Sequence, residues 1–209
     1  MTVRRRRLLA VVVVLLTVVA GCSGGPQNRR VEGAGSPATL SASTLDATGL
    51  GLARETDASL ETRVETTVSG DVAVQAVVEV DVTTPVREYR RDGDGLVIGV
   101  VSTPAVRPIE NRPQYRDPLA TLPLGEQVAH AQSRYDVADL DESRVGRNVT
   151  LLGTEAPLTR ATGTAGGSDV TVFVTRARDG DDFVTVVVVV PTGSEADVDV
   201  ARLTDGVEH

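Results

Sequence analysis

Two histidines, one cysteine and no lysine limit the chemistry this chain can attempt. Schiff-base formation and a Walker-type phosphate loop both need a lysine, so neither is available. A zinc or iron–sulfur centre needs several thiolates or imidazoles, and Cys22, His130 and His209 are too few. A lone cysteine also excludes an internal disulfide. A Ser-His-Asp device is not expected, because His209 ends the sequence and His130 falls off the apolar stripe of its helix, where it should be solvated. Gly21-Cys22-Ser23-Gly24-Gly25 spells the G-x-S-x-G nucleophile elbow, but that device needs a strand before it and a helix after it, and this stretch runs into Gly and Pro. Carboxylate pairs can do acid–base work, yet 29 acidic residues make such pairs commonplace. Two acidic turns, Asp92-Gly93-Asp94-Gly95 and Asp179-Gly180-Asp181-Asp182, lack the twelve-residue spacing of a calcium loop. Hairpin turns whose Gly and Asp tolerate positive φ explain them. Tyr89, Tyr115, Tyr135, Phe173 and Phe183 are the only aromatics, too few for a sugar-stacking platform or an aromatic cage. The expectation is a chain with no catalytic set, no metal site and no cofactor.

The cysteine has a different use. Arg4-Arg5-Arg6-Arg7 precedes an apolar run, Leu8 to Ala20, of thirteen residues, where a membrane span needs roughly twenty. A basic segment and a short apolar one make a signal peptide. Val19-Ala20-Gly21-Cys22 then resembles the lipobox of bacterial and archaeal lipoproteins, with valine where leucine is commoner. That resemblance implies cleavage between Gly21 and Cys22 and lipid on the Cys22 thiol. Arg5-Arg6-Arg7-Leu8-Leu9 also fits the twin-arginine export pattern. Residues 22–37 are rich in Gly, Ser and Pro and read as a flexible tether spanning roughly 20 Å. For an exported chain, Asn148-Val149-Thr150 is an N-glycosylation sequon.

Charge restricts the partners further. The net charge is -8, and loss of Arg4 to Arg7 leaves 17 arginines against 29 acids, a net of -12. Such a surface repels nucleic acid, which requires clustered cations. It repels anionic headgroups as a whole, so the lipid must provide the attachment. Low pI, absent lysine and abundant Asp, Val, Ala and Thr point to a salt-loving archaeon, since molar salt shrinks the Debye length to roughly 3 Å.

The elements beyond residue 38 read as mostly extended. A short helix at Ser41 to Thr48 stops at Gly49. Strands are predicted at Leu60 to Val68, Val72 to Val82, Val86 to Arg91, Leu96 to Val101, Arg147 to Leu152, Pro157 to Ala165, Asp169 to Arg178 and Phe183 to Pro191. The last of these is nearly unbroken valine and should be central, covered on both faces. Leu124, Val128, Ala131 and Tyr135 form one helical stripe after a proline-rich crossing. A final helix should start at Ser194 as N-cap, with Ala196, Val200, Leu203 and Val207 inward. The predicted fold is α+β: one domain, 38–209, with a twisted antiparallel sheet of six or seven strands packed with two main helices.

Gln132-Ser133-Arg134-Tyr135-Asp136, Leu152-Gly153-Thr154-Glu155, Gly180-Asp181-Asp182-Phe183 and Gly206-Val207-Glu208-His209, taken with the lipobox, resemble a family of uncharacterised haloarchaeal lipoproteins. The element order is similar to the PsbP-like fold, a likeness of architecture alone. Together these imply a non-catalytic module on the outer face of the cell membrane, attached through Cys22, that binds a surface protein or a small ligand. The alternatives are a solute-binding lipoprotein of a transporter and a carboxylate- or metal-dependent enzyme.

Overall fold

Valine and threonine, stiff at χ1 and suited to a pleated surface, fill most of this chain. The computed structural model describes residues 29–68, 74–91, 93–109 and 112–209, and within them ten strands form. The signal segment, Gly21, Cys22, the turn at 69–71 and Asp92 lie outside the described residues.

The strands make two meanders. In the first, β3 (Gly51–Val68), β4 (Val74–Arg90) and β5 (Val97–Pro104) run antiparallel. In the second, β6 (Val137–Leu151), β7 (Thr154–Ala165), β8 (Ser168–Asp179) and β9 (Asp182–Pro191) do the same. The last strand of each pairs with the other, β5 on β9 from Val97↔Val189 to Pro104↔Asp182, which fuses the meanders into one sheet. An additional strand, β1 (Arg29–Ala34), lies parallel to the first half of β4, giving eight strands in all. Between β9 and β8, and between β8 and β7, the hairpin turns are tight, with Gly180 at φ 56°, and Gly166 and Gly167 at 57° and 82°. Those left-handed values are why glycine stands there.

Both faces of the sheet are covered. On one lie Val86, Val101, Val172, Val187 and Val189, packed under Leu119 of the proline-rich crossing and under Val128 and Ala131 of α2 (Leu124–Ala131). On the other lie Tyr89, Ile98, Val100, Val184, Val186, Val188 and Val190. Leu40, Leu45, Leu203 and Val207 close over them, carried by α1 (Ala42–Thr48), α3 (Val200–Asp205) and a ribbon of β2 (Thr39–Leu40) with β10 (Val207–Glu208). The valine run of β9 is therefore central and buried on both sides. Each such valine contributes roughly 1.5–3 kcal/mol through burial.

This corrects the predicted α+β fold of six or seven antiparallel strands and two main helices. The protein is predominantly β: its large sheet is mixed and eight-stranded, a two-stranded ribbon is separate, and the α-helices among the described residues are three short ones of 7, 8 and 6 residues. Four local misreadings account for the difference. Residues 29–34, expected in the tether, form β1, whose exposed side chains carry no apolar period. β3 begins at Gly51 rather than Leu60, because its first half is an edge whose Glu55, Asp57 and Ser59 face water. Pro85 does not end β4, since it falls where the flanking strand changes from β1, last paired at Thr83, to β5, first paired at Val86. β6 spans 15 residues and starts ten before the predicted Arg147, because register shifts between Ala138/Asp141 and Arg144/Asn148, with Asp139 at φ 53°, scramble its alternation.

The helix boundaries shift as well. Ser41 does cap α1, accepting from the Thr44 amide at 3.2 Å, and Gly49 ends it at φ 67°. Ser194 caps nothing with its side chain. A 3₁₀ turn at Glu195–Asp197 comes first, and α3 is capped by Asp199, which accepts from the Arg202 amide. Val200, Leu203 and Val207 are buried as the stripe predicted, but Val207 reaches the core from β10.

Candidate functional site

The most buried carboxylate is Glu88 on β4, whose side chain has no solvent exposure. Its neighbour on β5 is Gly99, and its neighbour on β3 is Arg54. Because Gly99 carries no side chain, the end of α2 descends onto the sheet there; a Cβ would lie 2.3 Å from the Ala131 carbonyl oxygen. That descent brings Ser133 to the carboxylate, donating from its amide at 2.8 Å and its hydroxyl at 2.9 Å. Arg54 Nε and Arg90 Nε donate at 3.2 Å and 2.6 Å. Burial pushes the Glu88 carboxyl up, but the donors from Arg90 and Ser133 outweigh it and hold the group below its ordinary range.

His130, predicted to be solvated, is half-buried beside this cluster. Its Nε2 lies 2.6 Å from the Thr84 hydroxyl, which itself donates to the Ala58 carbonyl at 3.0 Å, so Nε2 carries the proton and Thr84 accepts. Burial, and then the charge of Arg54, lower its pKa. The apolar stripe predicted its helix from Leu124 to Ala131, though Tyr135 of that stripe lies beyond the helix end, and it missed this contact, because Thr84 lies forty-six residues away in sequence.

A second centre pins the crossing to the sheet. Asp117 accepts from the Thr103 hydroxyl at 2.7 Å and the Leu119 amide at 2.9 Å, and faces Arg176 Nη1 at 3.4 Å. Arg176 also donates to Gln127 of α2 at 2.6 Å. Every polar group in this chain of contacts is engaged by another protein group, which is the pattern of a structural network.

His209, predicted to be badly placed for catalysis, does meet acids and a serine. Its Nδ1 is 3.0 Å from Asp179, and its Nε2 is 3.3 Å from Asp182 and 3.5 Å from Ser102 Oγ. The outline is that of a triad, but Ser102 has no exposure, and Asp182 shares Nε2 while also accepting from the Ser36 amide at 2.8 Å. No substrate carbonyl can approach such a serine. The cluster is a clasp joining β10 to the β8–β9 hairpin. It also explains the acidic turn Asp179–Asp182 without a cation. In the other acidic turn, Asp94 is taken by Arg91 and by the Leu96 amide at 3.1 Å. Among the described residues no group of three His, Cys, Asp or Glu is arranged to hold a metal. Asn148 is exposed on β6 at the second register shift, and Thr150 of the sequon is exposed too.

A concavity of ligand size lies elsewhere, between β7, β8 and the 193–200 segment. It has a volume of about 530 Å³. Leu158, Phe173, Val198 and Val200 make an apolar floor over a small satellite core with Val149. Arg147, Arg160, Glu195, Asp197 and Asp199 supply a rim of both signs. Glu195 braces the rim: it accepts from the Thr171 hydroxyl and the Gly193 amide, both at 2.6 Å, and faces Arg160 at 3.4 Å. The Thr171 bond leads the interactions that hold its carboxyl below the ordinary range. Sequence reasoning missed this groove because its floor joins two sheet strands to a 3₁₀ turn read as helix.

A double-covered mixed sheet whose buried polar groups serve structure, with a groove of apolar floor and charged rim at its side, defines a β-rich domain. The chain belongs to the family described as a domain of unknown function, DUF6517, which matches residues 37–208. No curated protein and no solved structure matches it.

Proposed function

We propose that this protein is a lipid-anchored binding module on the outer face of the cell membrane, held by Cys22, that takes a small amphipathic ligand in the groove beneath residues 193–200. The groove carries the reading: its volume is within the usual range for small-molecule sites, and its floor and rim suit a ligand with one greasy and one charged part. Anchoring is supported by the short apolar run that ends in Val19-Ala20-Gly21-Cys22. The lysine-free acidic composition supports a haloarchaeal lipoprotein. Among the described residues no helix is long and apolar enough to cross a membrane, and the reading asks for none.

Two measurements test it. Cys22→Ser should abolish lipidation, so that fractionated cells release the protein to the medium or retain an unprocessed precursor; membrane attachment and processing identical to wild type would refute the anchor. For the groove, Val198→Asp places a charge on the apolar floor at a half-buried position. In a thermal-shift screen of small amphiphiles, ligands that stabilise the wild type should lose their effect on this variant. Equal shifts in both proteins would move the site elsewhere.

A further inference from the structure

A second, smaller concavity lies beside the groove. It holds about 160 Å³ where the end of α1, the entry to β5 and α3 meet, with Ala47, Leu96 and Leu203 among its walls. The two spaces share one stretch of chain, Asp197-Val198-Asp199, which lines both. In the sheet, β9 stands between β8, which floors the groove, and β5, which borders the recess, so that stretch is a strap crossing above β9. Half-buried Val198 packs on the main apolar cluster of this face and on the satellite core as well. An apolar surface thus continues from groove to recess beneath the strap.

The strap has a hinge and a latch. It leaves β9 through Gly193, at φ 97°, where glycine is favoured, and its 3₁₀ turn has no side-chain cap. Glu195 ties it to the sheet by accepting from the Thr171 hydroxyl at 2.6 Å. The pairing of β9 with β8 ends at Pro191, so turning at Gly193 and releasing Glu195 lifts Val198 without breaking that ladder. We propose that groove and recess are one binding channel, joined when the strap lifts, and that its ligand is a single-chain amphiphile whose apolar chain runs beneath Val198. The proposal rests on the groove reading and names the ligand class for it. From β7 to β5 is three strand spacings, about 14 Å, the reach of an extended dodecyl chain. A rim carrying both signs suits a zwitterionic head.

The full chain, carrying Cys22→Ser so that no lipid of its own competes, is titrated calorimetrically with alkylphosphocholines, each below its micelle-forming concentration. Affinity should rise roughly fourfold for each methylene added from hexyl to dodecyl and then level off. Ala47→Trp, which fills the recess from an exposed position, should end the rise at octyl and leave the hexyl affinity unchanged. A rise that already stops at octyl in the unfilled chain, or one that runs past dodecyl and is the same with Ala47→Trp, overturns the channel and leaves the groove standing. No saturable binding at any chain length, or binding that Val198→Asp leaves unaltered, overturns the groove reading and the channel with it.

Discussion

Glu88→Ala should destabilise the domain by about 3 kcal/mol, seen as a lower denaturant midpoint with an unchanged slope. The variant leaves the Ser133 amide and two guanidinium groups without the carboxylate they converge on. Removing one partner from a buried ion cluster costs 3–5 kcal/mol in general. The lower end applies here because Arg54 and Arg90 keep side-chain exposures of 34% and 35% and can turn to water. A loss below about 1 kcal/mol would mean that the carboxylate contributes no more than an ordinary hydrogen bond.

The same cluster sets the response to acid. Glu88 is depressed in the fold, so its contribution is fully present above the ordinary value of 4.5 and lost as pH falls through the folded value. His130 is also depressed, which means the unfolded chain takes up the proton more readily. Its contribution is full above 6.5 and declines as pH falls below that. Denaturant midpoints measured against pH should therefore drop in two stages. His130→Gln should flatten the first stage, and Glu88→Gln the second.

Gly99→Ala should be as damaging, at about 3 kcal/mol, from a single methyl group. The new Cβ would meet the carbonyl oxygen and carbon of Ala131 at 2.3 Å and 2.8 Å, and these are backbone atoms that cannot rotate aside. Overpacking of this kind costs roughly 1–3 kcal/mol, and here the whole of α2 must move to relieve it. That helix carries Gln127 to Arg176 and His130 to Thr84, and the segment after it carries Ser133 to Glu88. The double variant Gly99→Ala/Glu88→Ala should therefore lose less than the sum of its parts, because both changes release the same contact. Strict additivity in the cycle would show that α2 accommodates the methyl without leaving Glu88.

The meanders were readable where the period was clean. Val78, Val80 and Val82 alternate with water-facing Glu79 and half-exposed Asp81, and the chain does pair there. Valines 186–190 were readable as central because an unbroken apolar run has no wet face to offer. Edges were not readable: β1 and the first half of β3 owe their extension to a neighbour's hydrogen bonds, and their side chains record little of it. The candidate groove was invisible for a related reason, since Leu158, Phe173 and Val198 are ordinary apolar residues until three distant segments meet.

By itself the sequence determined the acidic character and the strand-rich core, because each depends on local composition or on a period of two. Only the tertiary structure decided that Glu88 and Asp117 are buried and satisfied and that His209 clasps two aspartates. Those outcomes depend on which strands become neighbours, and pairing β5 with β9 across about ninety residues is a choice that cooperative packing makes and no local window records.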